Sequence, residues 1–411
     1  MTDALIIDAC RTPRGIGKVG KGALADMHPQ HLGATVLKAL AARTGINTAD
    51  VDDIIWGTST QRGTQGGDLG RMAALDAGYD IRSSGVTLDR FCGSGITTVN
   101  LAAASIMSGM EDLMVAGGTE MMSMTATLRG DGPGLMDSGN LRLRASHPQS
   151  HQGICADAIA TLEGIGRRDL DALALVSQQR AARAIAEGRF NKSLVPVVRA
   201  DGSLALEHEE FPRPQTTAEG LAGLKPAFST MADLALDDKG TTFRGLILAK
   251  YPDLDINFVH HAGNSSGVVD GAAALLLASP NYAKKHGLKA RARVVAFANV
   301  GDSPTLMLNA PVPAARKVLA KAGLTVDDID LWEINEAFAV VAEKFIRDLK
   351  LDRDKVNVNG GAMALGHPIG ATGSMLIGTL LDELERRDLK RGLVTMCAAG
   401  GMAPAIIIER L

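Results

Sequence analysis

The chain has 411 residues, of which 46% are hydrophobic and 22% are charged, and its formal net charge is −3. This composition is typical of a globular protein of about two or three domains. It argues against a nucleic-acid partner, which normally requires a basic excess, and no apolar run reaches the roughly 18 residues of a membrane span.

Short apolar segments recur along the chain, and each predicts a buried strand. They are residues 4–9, 53–57, 113–118, 273–279, 293–300, 331–335, 393–401 and 404–410. Helical patterns lie between them, for example at 32–44 and 314–323. This alternation favours an α/β fold, and the continuous apolar strands favour mostly parallel sheets that helices cover on both faces.

An internal repeat is the more informative feature. Residues 36–57 resemble residues 315–334, because each segment runs from a helical pattern through a glycine and an acidic turn to a strand. At a constant offset of 278 residues, Gly45 matches Gly323. Glycine is the usual residue just after a helix, so both copies predict a helix that ends there.

A second pair of similar segments follows in the same order, at 91–109 and 366–384. Its alignment places Cys92 opposite His367. Two matches in one order predict two similar α/β halves that face each other across a pseudo-two-fold axis.

The region between the two copies has a different composition, with fewer strand-like segments and more Arg, His, Asp and Pro. Helical patterns occur within it at 156–164 and 170–188. We therefore predict an inserted domain and two halves, with these bounds: an N-terminal half at 1–121 that is completed by about 259–280, an inserted domain at 122–258 and a C-terminal half at 281–411.

Metal ligation is not predicted. The cysteines form no C-x-x-C pair, and their spacing fits no zinc site; they are Cys10, Cys92, Cys155 and Cys397. His147 and His151 are four residues apart, but a proline separates them and further ligands are missing. The N-terminal apolar run is short and contains Asp8, unlike a signal peptide, so we expect a cytoplasmic protein in a reducing compartment.

Cys92 is the first candidate for chemistry. It stands between a strand-like run that ends at Phe91 and a helical segment that starts with small residues at 93–95. A thiol at a helix N-terminus faces the positive end of the helix dipole, which favours the thiolate. Small residues there also let a carbonyl approach backbone N–H groups. The alternative is a structural cysteine, because free cysteines are usually buried.

Two further candidates follow later in the chain. His367 precedes Pro368, which suits a helix start, and its match to Cys92 makes it a candidate general base rather than a structural histidine. Cys397 lies between a buried strand and a glycine turn, where it is either a second thiol that moves protons or a core cysteine. Asn335 ends a strand, and by itself it predicts a helix N-cap more than an oxyanion-binding amide.

Together, these segments resemble the thiolase family over essentially the whole chain. The resemblance rests on LDRFCGSG at 88–95, VAGGTEMMS at 115–123, HAGNSSGVVDGAAALLL at 261–277, NEAF at 335–338, GGAMALGHPIGATG at 360–373 and CAAGG at 397–401. It implies a five-layered α/β fold of two pseudo-symmetric halves, with an inserted loop domain that binds coenzyme A.

The resemblance also implies roles in making or cleaving a 3-oxoacyl thioester. Cys92 would carry the acyl group, His367 would activate the Cys92 thiol, and Cys397 would transfer the α-proton. One oxyanion hole would use His367 and a water held by Asn335, and the other would use the backbone N–H groups of Cys92 and Ala399. The chemistry needs such a set, since cleavage produces an acyl group and a carbanion equivalent. No cofactor is expected, because coenzyme A thioesters are the substrates.

For coenzyme A binding, Arg213 and Ser266 match family positions. Lys225 is a looser candidate, and a solvated surface lysine is the favoured explanation for it. Gln152 occupies the place where many thiolases have a methionine over the pantetheine. One departure has no counterpart in the family pattern: 32 residues separate LKPAF at 224–228 from the HAGNSSG segment. A homodimer or homotetramer, and a complex with other enzymes of fatty acid β-oxidation, are implied by resemblance only.

Two other functions compete with this interpretation. A β-ketoacyl synthase-type condensing enzyme uses one cysteine with a His/His or His/Asn pair, and a non-catalytic acyl-thioester-binding subunit would lack a catalytic residue. Cys397 and the NEAF motif favour the thiolase interpretation. The sequence leaves the direction of the reaction and the acyl chain length open.

Overall fold

The computed structural model describes residues 2–125, 127–128 and 134–411. Within these ranges the strands are β1 (Leu5–Arg11), β2 (Gly15–Ile16), β3 (Asp53–Gly57), β4 (Val86–Leu88), β5 (Leu113–Met121), β6 (Val197–Val198), β7 (Leu204–Leu206), β8 (Val269–Ala278), β9 (Ala292–Gly301), β10 (Leu331–Ile334), β11 (Arg391–Thr395) and β12 (Met402–Arg410). All eight segments that the sequence predicted as strands contain one.

The helices of the described residues are α1 (Pro29–Thr44), α2 (Leu69–Asp76), α3 (Ser94–Ser108), α4 (Met122–Thr125), α5 (Leu141–Ser146), α6 (Gln152–Leu162), α7 (Arg167–Ala186), α8 (Ala218–Ala222), α9 (Ser229–Ala232), α10 (Phe243–Leu248), α11 (Pro280–His286), α12 (Pro311–Ala322), α13 (Ala339–Leu349), α14 (Ala362–Leu365) and α15 (Ile369–Arg386). Helices α1 and α12 begin at a proline and end at Gly45 and Gly323, both left-handed with φ 66°. The repeat therefore has the same helix ends in both copies.

Two sets of strands with the same order form the main sheet. The first runs β1-β8-β5-β3-β4, and the second runs β9-β12-β11-β10. The strand directions also agree, because β5 pairs with β3 in parallel, as β11 does with β10. Of the other neighbours within each set, β3 and β4 are parallel and the rest are antiparallel. An antiparallel pairing of β1 with β9 joins the sets, with Leu5 opposite Arg293. The predicted pseudo-symmetric halves are confirmed.

The expectation of mostly parallel sheets was wrong. Most of the strand pairs in the main sheet are antiparallel. The continuous apolar runs that suggested parallel strands reflect burial on both faces, which this fold produces with antiparallel neighbours as well. Every residue of β5 and of β8 is buried, although the two strands pair antiparallel.

Helices cover both halves and also fill the space between them. Helices α3 and α15 pack on each other and on strands of both halves, and their apolar side chains form one central core, with Ile96, Val99, Ile377 and Leu380. Helices α1 and α2 cover the outer face of the first half, and α12 covers that of the second. The order of helix, sheet, helix, sheet and helix layers is the predicted five-layered fold.

Glycine permits the close contact between the two central helices. A Cβ atom added at Gly95 of α3 would lie 2.7 Å from the backbone nitrogen of Ser374 in α15. No side chain fits between the helices at this point, so the two halves meet backbone to backbone.

The chain leaves the sheet at the end of β5 and returns to it at β8. The intervening region carries α4 to α10 and the small β6–β7 hairpin, and α7 packs on α13 and α14 of the second half. In the part of the chain that the structure describes, no helix is long and apolar enough to cross a membrane.

Candidate active site

Cys92 lies two residues before the first residue of α3, on a tight turn. Strand β4 ends at Leu88, three residues earlier than the strand-like run suggested, and Phe91 adopts a left-handed conformation with φ 49°. A non-glycine residue in this region costs of order 1–3 kcal/mol and usually marks a functional turn. The turn brings the half-buried Cys92 thiol to the start of the helix.

The electrostatic environment of Cys92 opposes the thiolate. Burial, together with the carboxylate of Glu120, raises the pKa of the Cys92 thiol to about 12. We expected the helix dipole to favour the thiolate, but desolvation of a charged sulfur outweighs it here. The resting thiol is therefore protonated, and its activation requires a base.

His367 is the candidate for this base. It is buried and lies just before Pro368, which caps the N-terminus of α15. Its Nδ1 is 2.6 Å from Oγ1 of Thr372, whose hydroxyl donates to the Pro368 carbonyl at 2.9 Å. Because that hydroxyl proton is already used, Nδ1 carries the imidazole proton and Nε2 keeps its lone pair.

The imidazole stays neutral at physiological pH. Burial, with a smaller effect from the positive charge of Arg14, lowers the pKa of His367 to about 3. Nε2 is buried and has no hydrogen-bond partner among the described residues. A neutral ring with an unpaired nitrogen can accept a proton, and a buried polar atom without a partner in the protein calls for one from a ligand or water.

Cys397 follows β11 by two residues and is buried. Burial, together with the nearby Cys92 thiol, raises the pKa of Cys397 well above its usual range. The next residue, Ala398, lies against the turn before α3, because its Cβ would be 3.4 Å from a Cβ added at Gly93. This contact places the Cys397 segment next to the Cys92 turn.

Asn335 is not a helix N-cap. Helix α13 begins only at Ala339, with Phe338 as its cap. The Asn335 side chain is buried, and neither its oxygen nor its nitrogen has a hydrogen-bond partner in the described ranges. Leaving such an amide unsatisfied costs about 1–3 kcal/mol, so a water or substrate oxygen is the expected partner. The N-cap preferred from sequence alone was wrong.

Backbone hydrogen bonds connect these residues. The Asn335 N–H donates to the Thr395 carbonyl at 3.2 Å, and this bond aligns the ends of the parallel strands β10 and β11. Cys397 lies two residues after Thr395, so both candidates follow the same edge of the sheet. The Ser266 N–H donates to Ala337, and the His367 N–H donates to Gly267, each at 2.9 Å. The segment 264–267 thus bridges the NEAF motif and the histidine.

A cavity of about 210 Å³ opens beside the Cys92 thiol. The core contributes Ser59, Phe91, Cys92, Ile369 and Ala399 to its described lining, and the inserted region contributes Gly134, Leu135, Met136, Gln149, Ser150, His151, Gln152 and Phe243, with Met307 completing it. Gln152 and Ala399 therefore border the same cavity as Cys92.

The other coenzyme A candidates lie elsewhere. Arg213 is exposed and borders a second cavity, of about 250 Å³, between the inserted region and the glycine-rich loop that ends at Met363. Its guanidinium lies 5.7 Å from the centroid of the Phe211 ring. Ser266 is half-buried, and Lys225 is exposed and absent from the described linings of both cavities. The structure does not bring Lys225 to either one.

Two buried glutamates were missed by the sequence analysis. The Glu120 carboxylate accepts from the N–H of Ser59 at 2.8 Å and of Gly370 at 2.9 Å, so it ties the first half to the start of α15. The Glu336 carboxylate accepts from Ser177 Oγ at 2.6 Å and from Asn357 Nδ2 at 2.9 Å. Glu336 belongs to the NEAF motif, and Glu120 to the VAGGTEMMS segment, so both had a signal in the sequence.

Among the described residues, no group of three or more His, Cys, Asp or Glu side chains could hold a metal ion. The buried His260 Nδ1 lies 2.7 Å from the Asp157 carboxylate, and His261 Nε2 lies 2.8 Å from that of Asp171. These two histidines therefore have structural partners.

A thiol before α3, a neutral imidazole with an unpaired nitrogen before α15 and a second, buried thiol are the groups that an enzyme needs to transfer acyl groups through a cysteine. Residues 4–233 match the family model described as thiolase, N-terminal domain, and residues 288–410 match the one described as thiolase, C-terminal domain. The chain belongs to the thiolase family.

Similar proteins cover the chain from end to end. An acetyl-CoA acetyltransferase of Chromobacterium violaceum is 41% identical over 99% of this chain and 100% of its own. A steroid 3-ketoacyl-CoA thiolase of Mycobacterium tuberculosis is 40% identical over 100% of this chain and 95% of its own. The crystal structure of the Bacillus anthracis acetyl-CoA acetyltransferase superimposes with a TM-score of 0.82 at 34% identity, covering 100% and 99% of the two chains.

Proposed function

We propose that the protein is an acyl-CoA:acetyl-CoA C-acyltransferase, which cleaves 3-oxoacyl-CoA with coenzyme A or runs the reverse condensation. The observation that carries this proposal is the unpartnered Nε2 of a neutral, buried His367, which stands before α15 as Cys92 stands before α3. Cys397 is the proposed second thiol of the reaction. A single-cysteine synthase has no use for the second thiol, and a non-catalytic subunit has no use for the base.

In cleavage, Cys92 Sγ attacks the 3-oxo carbonyl while its proton moves to His367 Nε2. Thiol and imidazole are both neutral at rest, so this transfer accompanies the attack rather than preceding it. The bond between C2 and C3 then breaks, and its electron pair goes to C2. Cys397 gives its proton to C2, which releases acetyl-CoA and leaves the acyl group on Cys92.

In the second half-reaction, coenzyme A gives its thiol proton to the Cys397 thiolate and attacks the acyl-Cys92 thioester. Acyl-CoA leaves, and the Cys92 thiolate recovers its proton from His367. Donors must meet a negative oxygen in each half. We assign the backbone N–H groups of Cys92 and Ala399 to one oxyanion, and protonated His367 with a water held by Asn335 to the other.

For the coenzyme, Arg213 is the proposed contact of the 3′-phosphate, because an exposed guanidinium at the mouth of a cavity suits a dianion. Ser266 lies beside the His367 segment and is the proposed pantetheine contact. Gln152 is the proposed contact nearest the thiol. Lys225 remains a sequence-based suggestion with no support from position.

The test is product formation together with capture of the intermediate. With coenzyme A, acetoacetyl-CoA should be converted to acetyl-CoA. Without coenzyme A, mass spectrometry should find one acetyl group on the peptide that contains Cys92. The matched control is Cys155→Ala, which removes a buried thiol outside the cavity and should leave both results unchanged. Active enzyme with label only on Cys397, or with none, contradicts the assignment.

A homodimer or homotetramer is part of the proposal. Strand β4 ends the main sheet, and Val86 on it and Ile81 just before it are exposed, which suits an edge that pairs with a second copy. Light scattering at micromolar concentration should give at least twice the chain mass of 42.9 kDa, and a monomer would count against it.

A further inference from the structure

The segment between the LKPAF and HAGNSSG motifs folds onto the cavity beside Cys92. It carries α9 and α10, and the apolar residues of α10 are buried, namely Phe243, Leu246 and Ile247. These residues belong to the core that fills the inserted region and the outer side of the second half. The segment is therefore an integral part of the fold rather than a surface loop.

Phe243 is the residue through which this segment reaches the cavity. Its carbonyl accepts a hydrogen bond from Ser150 Oγ at 2.7 Å, and its ring lies edge-on to the His151 ring with centroids 5.7 Å apart. The His151 ring packs in turn on Phe228, at 5.6 Å. Backbone and ring are thus both held, so Phe243 forms a rigid part of the wall.

Two other apolar residues of the lining have more flexible side chains. Met136 and Met307 line the same cavity, and methionine side chains have three rotatable bonds that let them move aside for a ligand. A phenylalanine held on two sides does not. Among the apolar residues that the inserted region contributes to the lining, Phe243 is therefore the aromatic one, and its fixed ring limits the space.

The size of the cavity makes such a limit matter. At about 210 Å³ it is smaller than the roughly 300–1,000 Å³ of pockets that hold drug-sized ligands. An acyl group bonded to Cys92 Sγ must extend into this space, so short and medium linear chains fit and longer chains meet the wall.

We propose that Phe243 determines the acyl chain length that Cys92 accepts, and that the segment at 229–260 is present to place this ring. The inference rests on the proposed thiolase reaction and names its substrate class: 3-oxoacyl-CoA with a short or medium linear acyl chain. Removing the ring enlarges the cavity, because Phe243 belongs to its lining.

The experiment measures kcat/KM for thiolysis over a series of 3-oxoacyl-CoA substrates from four to sixteen carbons, for the wild-type enzyme and for Phe243→Ala, Phe243→Leu and Phe243→Trp. One methylene in an apolar pocket changes kcat/KM by roughly 10- to 200-fold. We therefore expect Phe243→Ala to raise the ratio of long-chain to short-chain kcat/KM by about tenfold or more, Phe243→Leu to raise it less, and Phe243→Trp to lower it.

Ile247→Ala is the matched control, since it truncates a buried residue of the same helix outside the described cavity lining. It should lower stability without changing the ratio. The proposal is overturned if folded Phe243→Ala and Phe243→Leu both keep the wild-type ratio, or if Ile247→Ala shifts it equally. A wild-type enzyme that cleaves no 3-oxoacyl-CoA of any length would overturn the proposed function itself, which is a separate result.

Discussion

Helices α3 and α15 begin at equivalent places in the two halves, yet the residues at their starts differ in chemistry. Cys92 precedes α3 with a half-buried thiol that borders a cavity. His367 precedes α15 with a buried ring whose Nδ1 is fixed by Thr372. The backbone frame is duplicated, but burial and local hydrogen bonds are not. These local differences suit the proposed nucleophile at one helix start and the proposed base at the other.

The charges near the two helix starts sharpen this contrast. A carboxylate, Glu120, raises the pKa of Cys92, whereas a guanidinium, Arg14, contributes to the lowered pKa of His367. Each charge favours the neutral form of the group beside it. The site at rest therefore holds a thiol and a free base without forming an ion pair, and the substrate meets both in the protonation states that the reaction requires.

The largest expected effect comes from removing the reactive atom of the first half. Cys92→Ala should lower kcat/KM for thiolysis by on the order of 10⁴-fold or more, because the covalent step is lost altogether. Steady-state assays with acetoacetyl-CoA measure this, with Cys155→Ala as the control that should stay near wild type. A loss of less than tenfold would mean that the start of α3 does not supply the nucleophile.

The next effect distinguishes the second thiol from the first. Cys397→Ala should lower thiolysis by roughly 10²- to 10⁴-fold, since a positioned acid or base at the α-carbon is removed. Acylation of Cys92 by a simple acyl-CoA should persist, because that step does not move the α-proton. Single-turnover mass spectrometry beside steady-state thiolysis separates the two.

Circular dichroism checks that this variant is folded. If folded Cys397→Ala keeps near-wild-type thiolysis, the two-thiol mechanism is wrong, and the single-cysteine synthase interpretation becomes the better one.

A smaller effect tests what makes His367 a base. Thr372→Val removes the acceptor of the Nδ1 proton, and a net hydrogen bond is worth about 0.5–1.5 kcal/mol. The ring then loses its fixed tautomer, so kcat should fall by roughly 2- to 13-fold with little change in KM. Thr379→Val makes the same change about two turns further along α15 and should leave kcat unchanged. Equal losses in both variants would indicate general loosening of the helix.

The mildest test concerns the charge beside Cys92. Its carboxylate neighbour raises the thiol pKa, so Glu120→Gln should lower that pKa and increase the thiolate fraction at a given pH. Alkylation by iodoacetamide should become faster, and its pH profile should move to lower pH. Asp89→Asn should move the profile less, because Asp89 contributes less to the shift. An unchanged pH profile in folded Glu120→Gln would show that the Glu120 charge does not affect the Cys92 thiol.

The sequence predicted the fold well where it repeats. The glycine ends of α1 and α12 and the equivalent positions of Cys92 and His367, each two residues before a helix, follow from local patterns that occur twice. The eight strands follow from the apolar runs. Strand direction did not follow, because an apolar run reports burial on both faces and not the direction of its neighbour. The position of Asn335 was also misjudged, since the helix starts at Ala339, three residues later than an N-cap at Asn335 predicts.

The site was predicted in its residues more than in its energetics. The motifs indicated the candidate side chains, but the raised pKa of Cys92 comes from burial and, second, from Glu120, and only tertiary packing creates both. The role of the segment at 229–260 was equally invisible, because Phe243 reaches the cavity through contacts with Ser150 and His151, which are distant in sequence.

The glycine contact between α3 and α15 has a consequence for how the two halves can change. At Gly95 the helices meet backbone to backbone, and a single added methyl group would collide with the main chain near Ser374. A substitution there would move the start of one helix relative to the other, and with it the sulfur relative to the imidazole. A residue with no side chain thus fixes the distance between the sulfur and the imidazole across which the proposed proton transfer takes place. A variant at this position could keep its fold and lose its turnover.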